Sequence, residues 1–244
     1  MRRFALTLAL ASFAALAPAA PIPKAVSEKE QLAALWGTTE GEGEFELKGK
    51  QLTLRSPIQP AAGLIKSAAP SVPRAFRTAT GDFEAVAKLI EAAPPLKAAR
   101  HNDSWPATRA GIFVSGDNYA IELHLYQYHT KIKGELQDLS RTLWIDTWYP
   151  GGGSGSSLKQ PEAGKSIYLK LTRKGKDVTA AYSFDGAEWA NARVPRADML
   201  FPDEVKVGVY LAPSTYQVAS ATFDSFVVTK PKDEPKKKDE PKKK

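Results

Sequence analysis

Along most of the chain, apolar and polar residues alternate with a period of two, interrupted at short intervals by glycine, proline, asparagine and aspartate. The exception comes first. Ser27-Glu28-Lys29-Glu30 has the Ser-x-x-Glu form of a capping box and opens a short amphipathic helix through Leu32 and Leu35, which Gly37 ends. Phe45, Leu47, Leu52 and Leu54 then alternate around Gly49 and predict a hairpin. Residues 57–73 form a Pro/Ala-rich connection without a clear period. In residues 82–92, Phe83, Ala85, Ala87 and Leu89 alternate as a strand would, whereas Phe83, Val86, Ala87 and Ile90 fit a helical face. Ala, Glu and Lys favour helix there, but the neighbouring segments are strand-like and the segment is read as strand.

After a loop at 94–108 the signals sharpen. Gly111-Ile-Phe-Val-Ser115, a turn at Gly116-Asp117-Asn118 and a strand over 119–129 form a hairpin. Further strands are expected at 142–149, 167–173, 178–184, 205–211 and 218–228. Gly151-Gly-Gly-Ser-Gly-Ser-Ser157 reads as a flexible loop with no core residues. Ser183-Phe184-Asp185-Gly186 reads as a tight hairpin turn needing positive φ. Many short strands separated by turns, with no parallel βαβ unit, predict an all-β fold: a two-sheet antiparallel β-sandwich of jelly-roll type with a short N-terminal helix.

The two ends follow different rules. Met-Arg-Arg, an uncharged run from Phe4 to Leu16 and then Ala17-Pro18-Ala19-Ala20 have the three parts of a secretory signal peptide. The apolar run, roughly 13–15 residues, is too short to cross about 30 Å of hydrocarbon. Residues 1–20 are therefore read as a signal peptide, 21–229 as the sandwich domain and 230–244 as a disordered lysine-rich tail. The protein is expected to be exported, to the periplasm, the cell surface or beyond, with no transmembrane segment. The chain has no cysteine, so no disulfide or thiol chemistry supports it.

Charge is unequally divided between body and ends. The formal net charge is +7. Arg2 and Arg3 account for two cations, and the tail holds eight lysines against four acids, which leaves the body at +1. No nucleic-acid footprint remains on the domain. The tail repeats Asp-Glu-Pro-Lys-Lys-Lys at 233–238 and 239–244. Dense charge with proline and no apolar residue builds no core. Two roles fit it: a solubilising extension, or an electrostatic tether to an anionic envelope surface.

The run from Ile167 to Trp189, Ile-Tyr-Leu-Lys-Leu-Thr-Arg-Lys-Gly-Lys-Asp-Val-Thr-Ala-Ala-Tyr-Ser-Phe-Asp-Gly-Ala-Glu-Trp, resembles small bacterial jelly-roll domains of uncharacterised function. These belong to the concanavalin-A-like lectin/glucanase superfamily and are similar to the C-terminal sandwich of bacterial β-xylosidases. Ala110-Gly-Ile-Phe-Val, Val207-Gly-Val-Tyr210 and Ala221-Thr-Phe-Asp-Ser-Phe226 fit the same pattern in the same order. The resemblance covers 81–229 well and 36–80 weakly. It implies the fold; it implies function only loosely, because the superfamily holds lectins, hydrolases and modules without a known ligand.

Several motifs fail on inspection. Gly164-Lys165-Ser166 lacks the earlier glycine of a phosphate loop, where Lys159 stands. Gly152-Gly153-Ser154-Gly155-Ser156 lacks the last glycine of a nucleophile elbow. His124 and His129 face opposite sides of one strand and cannot share a metal. The segment Ser183 to Trp189 falls one residue short of a sialidase Asp box. Asp224 is a single candidate calcium oxygen, which predicts little. No cofactor or metal is implied.

The most informative stretch is Trp144-Ile145-Asp146-Thr147-Trp148. Laminarinase-like hydrolases of the superfamily carry Glu-x-Asp-x-Glu on one strand, the outer pair serving as nucleophile and general acid. Here Asp146 fits the middle place and tryptophans occupy both outer ones, which counts against retaining glycoside hydrolysis. Period two gathers Trp144, Asp146 and Trp148 on one face. Indoles stack on the apolar faces of sugars while a carboxylate accepts hydroxyl hydrogen bonds. On the neighbouring strand Ile121, Leu123 and Leu125 turn inward, leaving Glu122, His124, Tyr126 and Tyr128 toward solvent or a groove.

The candidate ligand-binding set is thus Glu122, His124, Tyr126, Trp144, Asp146 and Trp148. The competing reading buries both tryptophans in the core. The expected function is an exported, non-catalytic module that binds a carbohydrate or envelope component. The alternatives are a glycan-acting hydrolase using Glu122, His124 and Asp146, and a purely structural envelope protein.

Overall fold

A computed structural model of the protein describes residues 27–57, 71–95, 107–132, 135–196, 199–213 and 218–231. The leader, nearly all of the tail and most of the connections expected at 57–73 and 94–108 lie outside these described residues. Helix α1 (Glu28–Trp36) is followed by β1 (Thr38–Glu40), β2 (Glu44–Lys48), β3 (Gln51–Ser56), β4 (Arg74–Thr80), β5 (Phe83–Ala92), β6 (Ala107–Gly116) and β7 (Tyr119–Ile132). The rest are β8 (Glu135–Tyr149), β9 (Gly152–Ser157), β10 (Ile167–Lys174), β11 (Asp177–Ser183), β12 (Ala190–Ala192), β13 (Glu204–Pro213) and β14 (Ala219–Thr229).

The strands form two seven-stranded sheets, ordered β1-β4-β13-β6-β7-β8-β9 and β12-β11-β10-β5-β14-β3-β2. Every pairing is antiparallel. The two-sheet sandwich expected from the alternation is the fold, and residues 82–92 are a strand, with Phe83, Ala85, Ala87 and Leu89 all turned into the core. Inward-facing residues of both sheets, among them Leu123, Leu125 and Ile145 of the first and Leu169, Leu171 and Phe223 of the second, make one contiguous apolar core.

Helix α1 has both reciprocal bonds of its capping box: the Glu30 amide donates to Ser27 Oγ at 3.3 Å and the Ser27 amide to Glu30 Oε2 at 2.9 Å. Its last residue joins the sheets. Trp36 is 1% exposed, its ring lying 6.5 Å from Phe223 and 6.4 Å from Phe226 of β14, while Arg77 of β4 donates to the carbonyls of Ala34 and Leu35. The indole nitrogen donates to the Lys50 carbonyl at 3.1 Å. Trp36→Phe keeps the ring stack and removes that bond and part of the volume. An unfolding free energy lower by about 1–2 kcal/mol in a urea titration is expected; an unchanged value would mean that α1 is not part of the cooperative unit.

Three local expectations need correction. The glycine-rich segment 151–157 is not a loop: it is edge strand β9, paired with β8 from Tyr149↔Gly152 to Trp144↔Ser157. Its lack of side chains concealed it, because alternation has nothing to alternate. The Asp185-Gly186 turn is wider than a two-residue hairpin. Gly186 has the positive φ (80°), but Asp185 Oδ1 accepts from the amides of Ala187 and Glu188 and so shapes a longer loop between β11 and β12. Strands β7 and β8 also run further than expected, to Ile132 and from Glu135, and strand β4 had no recognisable signal because only Ala75 and Ala79 mark its inner face. Among the described residues, no helix is long and apolar enough to cross a membrane.

Candidate functional site

The site is built on the outer face of the first sheet, where the register aligns side chains in rows across the strands. One row runs Tyr210 (β13), Gly111 (β6), His124 (β7), Trp144 (β8) and Ser157 (β9). The next runs Gly208, Phe113, Glu122, Asp146 and Gly155, and a third places Arg109 beside Tyr126. The expected faces of β7 and β8 are therefore correct, and the two strands are direct neighbours, with Glu122 opposite Asp146 and His124 opposite Trp144. All six candidate residues come together. His129 faces the other way, its Nε2 3.1 Å from the Pro95 carbonyl oxygen.

Of the four side chains expected to face solvent or a groove, His124, Tyr126 and Tyr128 line a groove, but neither Glu122 nor His124 reaches solvent. Both are 0% exposed, although they lie on the outer face. The reason is two neighbours that alternation did not single out. Tyr210 crosses the bare backbone of Gly111 and donates its hydroxyl proton to Glu122 Oε2 at 3.0 Å, with His124 Nδ1 also 3.0 Å from the Tyr210 hydroxyl oxygen. Arg109 is 3% exposed and reaches Glu122 Oε2 at 3.4 Å and Asp146 Oδ2 at 3.5 Å through Nη1, long for hydrogen bonds but close for charges. An arginine in a mostly apolar strand, on the face of Gly111 and Phe113, is the sequence signal that could have pointed to this cluster.

Above the polar cluster lies a groove of about 460 Å³. Its aromatic wall is Tyr126, Tyr128, Trp144 and Trp148, and Arg109, His124 and Asp146 form its polar floor. Tyr126 and Tyr128 stack at 4.7 Å, and Tyr126 meets Trp144 edge-on at 5.9 Å. Trp144 and Trp148 are half-buried and belong to the outer face, not to the inter-sheet core. The glycines of β9 make room for them. A Cβ on Gly153 would stand 2.6 Å from Trp148 Cε3, and one on Gly155 would stand 2.2 Å from Asp146 Oδ1 and 2.4 Å from Trp144 Nε1. Trp144 in turn holds Asp146, its Nε1 donating to Oδ1 at 2.9 Å.

These contacts set the protonation states. Burial, then the Glu122 charge, pushes the Asp146 carboxyl up to about 6, against the pull of Arg109 and the Trp144 bond. Burial and the Arg109 charge hold His124 well below the usual imidazole range, so the ring is neutral. Burial and the Glu122 charge hold the Tyr210 phenol well above its ordinary value. Burial works against the Arg109 charge, but Glu122, Tyr210 and Asp146 outweigh it and raise the guanidinium pKa.

Glu122, His124 and Asp146 bring their ligand atoms within 4.8 Å of one another, a donor set that suits a divalent ion. The Arg109 guanidinium, however, already serves as counter-cation to both carboxylates, and a metal would meet its full charge. Asp224, the single candidate calcium oxygen, accepts from Gln51 Nε2 and Lys88 Nζ on the other sheet. Two-carboxylate hydrolysis needs both acids at the scissile bond. Among the described carboxylates only Asp146 lines the groove.

No family model matches the chain, and no curated protein matches it in sequence. Solved structures match in fold. A functionally unknown protein from Saccharomyces cerevisiae superposes with a TM-score of 0.58 at 14% identity, over 79% of this chain and 94% of that one. A xylan β-1,4-xylosidase from Bacillus halodurans matches with a TM-score of 0.51 at 18% identity, over 75% of this chain and 33% of that one. A GH43 protein from Bacillus licheniformis gives 0.52 at 17%, over the same shares. This chain thus corresponds to about a third of each of the last two, and the likeness to the sandwich of β-xylosidases holds at the level of fold.

Proposed function

We propose that the protein is an exported, non-catalytic sandwich module that binds a carbohydrate in the groove of the first sheet. The observation that carries this reading is the pairing of four aromatic rings with one groove-facing carboxylate, Asp146, over a strand of glycines. Aromatic rings stack on pyranose faces, and a fixed carboxylate orients hydroxyls. The fold it shares with part of a xylosidase agrees with a carbohydrate ligand. Export rests on the signal-peptide pattern of residues 1–20, and the lysine-rich tail is suited to an anionic envelope surface. The hydrolase alternative is disfavoured because Glu122 is sealed beneath Tyr210 and Arg109.

A panel of soluble polysaccharides and chromogenic glycosides tests the reading. Binding without turnover is expected, and Trp144→Ala with Trp148→Ala should weaken it more than about tenfold, since each stacked ring contributes on the order of 1 kcal/mol beyond its area. Turnover that disappears in Glu122→Gln or Asp146→Asn would replace the binding module with an enzyme. Gly155→Ala is a second probe that leaves every ring in place. Its methyl group would separate Trp144 from Asp146, so affinity should fall about tenfold while the melting temperature stays nearly constant. Unchanged affinity would put the ligand elsewhere.

A further inference from the structure

The hydrogens of the buried cluster can be assigned from its partners. Tyr210 has one hydroxyl proton, and Glu122 Oε2, at 3.0 Å, accepts it. The Tyr210 oxygen is then left to accept from His124 Nδ1, also at 3.0 Å. The neutral ring therefore carries its proton on Nδ1, and Nε2 is a bare lone pair. That atom is fully buried from solvent at the floor of the groove and has no hydrogen-bond partner among the described residues. Its closest charged neighbour is Asp146 Oδ2, 3.8 Å away, which is also an acceptor. The other oxygen of Asp146 is occupied by Trp144. Two acceptors stand side by side, and Arg109 Nη1, the donor beside them, reaches only Oδ2, at 3.5 Å.

We infer that this seat takes a primary ammonium group, so that the carbohydrate bound in the groove is one bearing free amines, a hexosamine in its unacetylated form. The inference rests on the carbohydrate reading and narrows it. An ammonium has three hydrogens and can serve Nε2 and Oδ2 together; a hydroxyl or an acetamide N–H has one. Arg109 is shared between Glu122 and Asp146, which leaves the pair of carboxylates one negative charge in excess; a single ammonium charge matches it, where a divalent ion would overshoot. Trp144, Tyr126 and Tyr128 present rings around the same point, and such rings attract cations. At His124 Nε2 and Asp146 Oδ2 a uronate or sulfated sugar would bring acceptors to acceptors, and the one cation of the floor, Arg109, is already shared by two carboxylates. Burial and the Glu122 charge push Asp146 up to about 6 in spite of Arg109, and a bound ammonium would oppose that rise.

Three tetrasaccharides with one β-1,4 backbone isolate the group in question: the glucosamine tetramer, its N-acetylated counterpart and cellotetraose, which carry an amine, an acetamide and a hydroxyl at the same carbon. Titration calorimetry of the full chain at about pH 6.5, where Asp146 is largely ionised, should show the glucosamine tetramer at least about tenfold tighter than the other two. In Asp146→Asn that ratio should collapse to less than about threefold. Equal or weaker binding of the amine overturns the inference and leaves the carbohydrate reading intact. A preference that survives Asp146→Asn overturns the assignment to this seat. Failure of all three tetramers and of the whole polysaccharide panel overturns the carbohydrate reading and the inference with it.

Discussion

Arg109→Met should lower the unfolding free energy by about 3–5 kcal/mol at neutral pH. The guanidinium is 3% exposed and lies between two carboxylates, one of which, Glu122, has no exposure at all. Replacing it with an apolar chain of similar length preserves volume but leaves buried negative charge without its counter-ion. The sign with pH follows directly. As pH falls through about 6 a proton can replace the missing cation on Asp146, so the deficit of the variant should shrink in acid. A second substitution separates charge from packing. Glu122→Gln in the Arg109→Met background removes the stranded charge while its amide oxygen still accepts from Tyr210. Much of the lost stability should return, measured as a coupling energy in a double-mutant cycle. If the double variant is as unstable as the sum of the singles, the two residues are packed neighbours and not an ion pair.

The same cluster shows where the sequence was informative and where it was silent. Period two placed Trp144, Asp146 and Trp148 on one face of β8, and Glu122, His124 and Tyr126 on one face of β7, because strand geometry leaves a side chain only two directions. It could not tell an outer face from an exposed one. Glu122 and His124 point away from the inter-sheet core and are still sealed, by Tyr210 from two strands away and by Arg109. Those partners lie about 85 and 15 residues off in sequence, and only the strand order β13-β6-β7-β8 brings them together. Gly111 was legible as part of a family-like run, but its role, leaving a lane for Tyr210 across β6, belongs to the sheet and not to the strand. Strand β9 was missed for a related reason: the glycines that hide it from a hydrophobicity pattern are what the indoles of β8 require.

Asp146→Asn should make the protein more stable above pH 6 and a poorer binder, two effects with one cause. The folded-state pKa of Asp146 is raised from 3.8 to about 6. Between those values the unfolded chain releases this proton and the folded chain retains it, so fewer protons are bound in the unfolded state and unfolding free energy falls as pH rises. The loss accumulates to about 3 kcal/mol once pH exceeds the folded value, at roughly 1.4 kcal/mol per unit. Asparagine has no proton to lose. Its carbonyl oxygen can still accept from Trp144, its amide can donate toward His124 Nε2, and Arg109 keeps Glu122 as partner. Urea titrations should therefore find wild type and variant nearly equal near pH 4 and the variant more stable by about 2–3 kcal/mol at pH 7.5. The carboxylate that destabilises the fold is the one aimed at the ligand, as expected where binding and stability compete for a residue. A variant that is no more stable than wild type at pH 7.5 would show that burial imposes no cost on Asp146, and would remove the physical reason for a cationic group in the groove.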